Sequence, residues 1–309
     1  MVNLVLSRIM SACVVIFGVI ILVFFLIHLI PGDPVEVMLG ESAQPADREL
    51  LRQQLGLDKT IPEQLWRYLS GLGELNLGNS LHARKPVFDL LLERMPATIQ
   101  LTFSALAIAV LLALPLGTIA AIRHGTIWDQ FAIGFATLGV SIPNFVMGPI
   151  LILVFSFALG WLPVSGSDAP GSIILPALTL GTALAAVLAR MLRSTLLEVL
   201  GEDFIRTARA KGLNEFHVVV RHALGNAMLP IITLLGLQLG VLLAGAVITE
   251  IVFSWPGLGS LTIESIERRD YPVVQGCVLV ISLIYVLVNS FTDLAYAWLD
   301  PRIHYGVDD

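Results

Sequence analysis

The chain has 309 residues, of which 56% are hydrophobic and only 14% are charged, and its formal net charge is -6. This apolar composition exceeds what the core of a water-soluble protein of this length requires, and it excludes an ordinary soluble domain. The two cysteines, Cys13 and Cys277, are too few for a disulfide framework or a cysteine-rich metal site. We therefore expect an all-α integral membrane protein.

Apolar runs long enough to cross a hydrocarbon core of about 30 Å recur along the sequence, and we predict six transmembrane helices. The first run is longer than the apolar core of a signal peptide and lacks a small-residue cleavage pattern, so it is expected to remain as an anchor. Pro143, Pro149 and Pro176 are expected to kink the third and fourth spans rather than end them. The predicted spans are 9–30, 98–122, 131–159, 173–192, 227–252 and 272–298.

The distribution of Arg and Lys predicts the orientation of these spans. Most cationic residues of the short loops fall on one side, and the positive-inside rule places that side, with both chain termini, in the cytoplasm. The predicted organisation is an N-terminal transmembrane helix at 1–30, an extracytoplasmic helical segment at 31–97, a core transmembrane domain at 98–300 and a cytoplasmic tail at 301–309.

The long segment after the first span is predicted to form a small helical cap. Its stretch at 47–57 has helical periodicity, which predicts one apolar stripe. The residues expected on that stripe are Leu50, Leu51, Leu55 and Leu57.

A cationic stretch, RTARAKGL at 206–213, lies between the fourth and fifth spans. We predict a short helix with Asp203 as its N-cap and Gly212 in the left-handed conformation just after its end. Asn214 is predicted to cap a second helix, so the unit is a helical hairpin. The predicted apolar face of that second helix consists of Phe216, Val219, Val220, Ala223 and Ala227.

Two interpretations of this hairpin stay open on physical grounds. Its cationic residues could set the membrane topology or contact anionic lipid head groups. Alternatively, an amphipathic hairpin exposed to the cytosol is a docking surface for the groove of a partner protein.

Sequence motifs in and around the hairpin resemble a known transporter family. DFIRTARAKGL at 203–213 and RHALGNAMLP at 221–230 are similar to the cytoplasmic EAA loop of permease subunits in ABC importers of the dipeptide, oligopeptide and nickel group. The resemblance extends over nearly the whole chain. Its other motifs are PGDP at 31–34, LGLD at 55–58, FSWPGLG at 253–259, RDYPV at 269–273 and LDPRI at 299–303.

This resemblance implies the type I ABC importer permease fold in a bacterial inner membrane. It also implies a second permease chain, expected to be a paralogue, two cytosolic ATPase subunits and an extracytoplasmic substrate-binding protein. The loop at about 193–226 would couple ATP hydrolysis on the partner subunits, which hold ATP and Mg, to transport. The coupling residues that it implies are Asp203, Arg206, Thr207, Ala208, Arg209, Ala210, Lys211, Gly212 and Leu213.

The fifth predicted span carries small and polar residues of interest. Gly236, Gly240 and Ala244 recur at four-residue spacing, which favours close helix packing either within this chain or against the second permease. Gln238 and Glu250 are candidates for lining the translocation pathway, because polar groups in a membrane span are costly to expose to lipid.

The sequence offers no site for chemistry on this chain. It contains no P-loop pattern, no HExxH and no G-x-S-x-G motif, so no catalytic, metal or cofactor residue is predicted, and nothing indicates a nucleic-acid partner. An intramembrane enzyme is therefore disfavoured. An ion-driven secondary transporter is disfavoured because the spans show no internal duplication and almost no central charge. The resemblance implies import of a small peptide, with glutathione, nickel complexes and opine-like solutes as alternatives.

Overall fold

The computed structural model describes residues 2–29, 33–40 and 44–299, and the predicted tail at 301–309 lies outside them. The described part is helical, apart from turns and one isolated bridge between Asn79 and Pro86. The helices are α1 Val2–Leu26, α2 Pro34–Leu39, α3 Pro45–Leu55, α4 Ile61–Gly73, α5 Val87–Ile122, α6 Ile127–Ser141, α7 Asn144–Leu151, α8 Ile174–Leu200, α9 Asp203–Ala210, α10 Glu215–His217, α11 Leu224–Gly245, α12 Val247–Val252, α13 Leu258–Glu267 and α14 Tyr271–Leu299.

Five helical segments of the described residues are long and apolar enough to cross a membrane. They are α1, α5, α8, the segment from α10 through α11, and α14. A sixth candidate is formed by α6 together with Asn144–Ala158, which is α7 followed by a π-helical segment at Ile152–Ala158. These two halves together pass the same criteria although they are bent by 106°. The prediction of an all-α protein with six spans is confirmed when this bent pair is counted as one span.

Two proline predictions are wrong. Ile142 and Pro143 separate α6 from α7, and both residues have extended backbone conformations. The proline ring disfavours helical geometry in the preceding residue, so Pro143 ends α6 instead of kinking it. Pro176 lies in the first turn of α8, where the missing N–H removes no hydrogen bond of the helix. Of these three prolines, Pro149 lies in a helix interior, that of α7.

Other helix boundaries also differ from the predicted ones. Helix α5 begins at Val87, so the predicted boundary between residues 97 and 98 falls inside this helix. The fifth predicted span, 227–252, is interrupted at Ala246, which separates α11 from α12. Directly before α11, Val218–Ala223 form a π-helical segment whose wider turn changes the register of the helical face.

The chain divides into two compact units. The first consists of Met1–Thr98 with Pro256–Val286, and it contains the helices α2–α4 of the predicted cap. Leu51 is buried in a small apolar cluster there, whereas Leu50 is exposed, so the predicted single stripe is wrong for Leu50. Adjacent helical residues point about 100° apart, so here Leu51 faces the cluster while Leu50 faces outward.

A buried carboxylate holds one turn of this first unit. Asp270, just before α14, accepts hydrogen bonds from the Ser80 hydroxyl at 2.5 Å and from the backbone N–H groups of Leu81 and His82 at 3.3 and 3.4 Å. Because the carboxylate is buried, these donors are what compensates for its lost hydration.

The second unit consists of Ile99–Trp255 and the part of α14 from Leu287. Helix α8 is its centre, since it contacts α6, α7, α11 and α12 and is buried along much of its length. After a two-residue turn, α8 is followed by α9, which is the first helix of the predicted hairpin.

Candidate functional site

The hairpin predicted between the fourth and fifth spans is present, with one correction at its start. The N-cap of α9 is Glu202, with extended φ and ψ of -70° and 151°, and Asp203 is the first helical residue. Asp203 still lies where a carboxylate interacts favourably with the helix dipole, and it pairs with Arg206 at 3.1 Å.

The turn between α9 and α10 has the predicted geometry. Lys211 caps α9, and Gly212 follows with a left-handed φ of +78°. The Gly212 N–H donates to the Arg209 carbonyl oxygen at 2.9 Å, which closes the end of the helix. The Asn214 side chain accepts from the His217 N–H at 2.8 Å, so Asn214 caps α10 as predicted. The turn is therefore specified on both sides by local hydrogen bonds.

An ion pair spans the same turn. The guanidinium of Arg209 reaches both carboxylate oxygens of Glu215, with Nε to Oε1 at 2.8 Å and Nη2 to Oε2 at 3.2 Å. Both side chains are exposed, so this forked pair contributes little to stability, at most about 1 kcal/mol. Its two-pronged geometry links α9 to α10 across the turn.

Two apolar residues define the buried face of α9. Ile205 and Ala208, three residues apart on one face of α9, are both buried. Helix α9 packs against the π-helical segment 218–223, in which Val218 and Val219 are buried. The other face of α9, away from Ile205 and Ala208, is therefore the one exposed to solvent.

The apolar face predicted for the second helix of the hairpin is partly wrong. Val219, Ala223 and Ala227 are buried as expected, but Phe216 is 75% exposed and Val220 is also exposed. The prediction assumed 3.6 residues per turn, whereas the π-helical segment has a wider turn and rotates these positions away from the core.

The exposed surface of the hairpin contains nearly all predicted coupling residues. Eight of the nine are exposed, and Ala208 is buried. The prediction did not include Phe204 or Phe216, whose side chains are 44% and 75% exposed. A signal for Phe204 was available, because it flanks the buried face defined by Ile205 and Ala208. The exposed residues of the predicted set are Asp203, Arg206, Thr207, Arg209, Ala210, Lys211, Gly212 and Leu213.

The two polar pathway candidates occupy different environments. Gln238 is half-buried in α11. Glu250 lies in α12, is only 1% exposed, and its backbone carbonyl accepts from the Trp255 N–H at 2.7 Å. Their assignment to a translocation pathway stays a prediction.

Of the small residues in α11, Gly236 has a neighbour in the same chain. A Cβ built on Gly236 would lie 2.2 Å from Cγ2 of Thr292 in α14, so only glycine fits this contact. Gly240 is buried, and the side chain of Ala244 lies outside the described residues. A contact of this strip with a second permease stays a prediction.

Comparison with known proteins assigns the family. A model described as the binding-protein-dependent transport system inner membrane component matches residues 113–305, and the model of its N-terminal part matches residues 1–102. The chain is 44% identical over 305 residues to the glutathione transport system permease protein GsiC of Escherichia coli K12, covering 99% of this chain and 100% of that protein. The corresponding protein of Shigella dysenteriae serotype 1 gives the same values.

Solved structures agree on the fold. The inward-facing MetNI methionine ABC transporter matches with a TM-score of 0.56 and 22% identity, covering 68% of this chain and 96% of that chain. An amino acid ABC transporter crystallised with histidines matches with a TM-score of 0.51 and 18% identity, covering 70% and 94%. The fold is that of type I ABC importer permeases. The chain therefore belongs to the family of inner membrane components of binding-protein-dependent transport systems, and it is a permease subunit of an ABC importer.

Proposed function

We propose that this permease couples ATP hydrolysis on cytosolic partner subunits to the import of a short peptide, with glutathione as the first candidate substrate. The observation that carries the coupling role is the exposed hairpin of α9 and α10. Its turn is fixed by hydrogen bonds on both sides, while eight of its nine predicted coupling residues face outward.

The chemistry of the hairpin favours a protein groove over a lipid surface as its binding partner. Phe204 and Phe216 are exposed aromatic side chains, and exposed aromatic groups are typical anchors of protein interfaces. Arg206 and Lys211 add exposed positive charge next to them. Because α9, with its buried residues Ile205 and Ala208, packs against the π-helical segment that continues into α11, a displacement of the hairpin would be passed to that membrane helix.

The partners follow from the family and from the orientation predicted by the cationic loops. The hairpin would face the cytoplasm of a bacterial cell, with both termini on that side, and would dock an ATPase subunit that holds ATP and Mg. A second permease chain, a paralogue, would complete the pathway, and an extracytoplasmic binding protein would deliver the substrate.

The substrate proposal rests on the curated relatives. Permeases that are 44% identical over almost the entire chain are named for glutathione transport. Glutathione is a tripeptide, so this assignment specifies the peptide class that the sequence motifs indicate. The half-buried Gln238 and the Glu250 region are the proposed polar positions along its path.

Reconstitution of the assembled importer tests this proposal. We expect proteoliposomes that contain both permeases, the ATPase subunits and the binding protein to accumulate isotope-labelled glutathione only when ATP is supplied. Unlabelled glutathione should compete with this uptake, and a nickel complex or an opine should not. Uptake that proceeds without ATP and follows an ion gradient would contradict the ABC mechanism, and competition only by nickel complexes or opines would contradict the substrate.

A further inference from the structure

A buried ion pair connects the turn between α5 and α6 to α8. Asp129 lies in the first turn of α6 and is 3% exposed. Nothing in the sequence pattern marks Asp129, and its partner Arg193 lies at the start of the predicted coupling loop, 193–226. A carboxylate so fully removed from solvent needs strong local partners to remain ionised.

Asp129 has such partners from two elements. Its Oδ1 accepts from Arg193 Nε at 2.5 Å, and its Oδ2 accepts from Arg193 Nη2 at 2.9 Å, which is a two-pronged arrangement. The N–H of Gly125, in the turn before α6, donates to Oδ2 at 2.9 Å. His124 Nδ1 also lies 3.0 Å from Oδ2. One carboxylate therefore holds the α5–α6 turn and α8 together.

Close backbone contacts join the same three helices further along their length. A Cβ built on Gly181 of α8 would lie 2.8 Å from the Ala105 carbonyl oxygen of α5. A Cβ on Gly139 of α6 would lie 2.8 Å from the Ala186 Cβ of α8. A real Cβ atom would not fit at either distance, so the absence of a side chain at Gly181 and Gly139 is what allows these helices to pack this closely.

The ion pair adds a constraint on the register of the helices that the glycine contacts alone do not provide. The glycine contacts set how closely the helices approach, whereas a two-pronged Arg–carboxylate pair also restricts their relative position along the helix axes. Arg193 lies near the end of α8 that leads, through a short turn, into α9 of the hairpin. The pair is thus placed to fix the register of α6 on α8 at the end where force would enter from the hairpin.

We infer that Asp129 is a positioning residue for coupling. With Arg193 it joins three elements, the part of α5 from Ile99 onward, α6 and α8, into one rigid block that the hairpin moves as a unit. This inference rests on the proposed coupling function of the hairpin. It predicts that α6 and α8 keep their relative position throughout the transport cycle.

Spin labels on the two helices test the inference. In a background with Cys13→Ala and Cys277→Ala, labels are attached at Phe131→Cys on α6 and Arg190→Cys on α8, both exposed positions. We expect the distance distribution between them to be the same without nucleotide and in the ATP-trapped complex. A distribution that shifts between the two states would overturn the inference, because the block would then deform during the cycle.

The variant Asp129→Asn provides the second part of this test. It should broaden the distance distribution and lower substrate uptake per ATP hydrolysed, by on the order of tenfold, because the rigid connection is lost. The matched control is Glu93→Gln, the same chemical change in an exposed pair with Lys85. If Asp129→Asn equals this control in both measurements, the inference is wrong.

Two further comparisons keep the outcome decisive. If Asp129→Asn does not assemble, Arg193→Lys replaces it, since lysine keeps the charge but loses the two-pronged geometry. An unchanged distance distribution in Arg193→Lys would also overturn the inference. If the unmodified importer shows no ATP-driven uptake, the proposed function fails, while the label distances still decide whether the block is rigid.

Discussion

Replacing Gly212 with valine is expected to uncouple ATP hydrolysis from uptake. Gly212 has a φ of +78°, and a Cβ built on it meets no atom within 4 Å, so the substitution causes backbone strain without a steric clash. The left-handed conformation costs an ordinary residue about 1–2 kcal/mol, and a β-branched one is disfavoured further. A change of about 1–2 kcal/mol shifts a two-state ratio by roughly 5–30-fold, here against the native turn between α9 and α10.

The assay is the ratio of glutathione taken up to ATP hydrolysed in proteoliposomes. We expect Gly212→Val to assemble with its partners and to lower this ratio. The reason is that the turn between α9 and α10 loses the single conformation to which the ATPase subunit would bind. Gly212→Asn should retain most of the coupling, since asparagine tolerates the left-handed region better than other residues.

A matched control tests whether the effect depends on strain within the hairpin or would follow from backbone strain anywhere in the chain. Gly160 also has a positive φ, +65°, and open space around its Cβ, but it lies outside the hairpin. Gly160→Val therefore introduces comparable strain elsewhere and should leave the ratio unchanged. Equal ratios in Gly212→Val, Gly160→Val and the unmodified protein would refute the reasoning.

Three further changes have expected outcomes. Phe216→Ala should reduce co-purification of the ATPase subunit without lowering the thermal unfolding midpoint of the chain, because this ring is 75% exposed; a lower midpoint with unchanged co-purification would contradict its docking role. Gly117→Ala should destabilise the chain by about 1–3 kcal/mol in thermal unfolding, since the new Cβ would lie 2.8 Å from a backbone oxygen of α8. The control Gly134→Ala, where a Cβ meets open space, should show no such loss. Asp270→Asn should accelerate tryptic cleavage in the turn that Ser80 begins, because the buried carboxylate that holds this turn is weakened; unchanged cleavage would mean that other contacts hold it.

The hairpin was largely predictable because its determinants are local. The left-handed Gly212 and the Asn214 cap each depend on residues within one turn, and the structure confirms both. The start of α9 was misplaced by one residue, since Glu202 and Asp203 are both acceptable at a helix N-terminus and sequence alone does not rank them.

The bent third span and the π-helical segment could not be predicted in the same way. Pro143 is compatible with either a kinked or an ended helix, and the outcome depends on whether neighbouring groups satisfy the freed carbonyls. The wider turn at Val218–Ala223 leaves no clear signal in the residue pattern, so Phe216 was assigned to the wrong face.

The ion pair of Asp129 and Arg193 was missed for a different reason. The two residues are 64 positions apart in sequence, and each alone is an unremarkable charge near the end of a span. Only the packing of α6 on α8 brings them together. Family motifs could indicate the partners of the chain, but not this internal contact.

Photo-crosslinking from the hairpin tests the central claim most directly. A photoreactive amino acid is placed at Phe204 or Phe216 in cells that express the complete importer, with Phe131 on α6 as the control position. We predict a crosslink to the ATPase subunit from both hairpin positions and none from the control. Crosslinks from the hairpin to the extracytoplasmic binding protein, or only to lipid, would contradict the account.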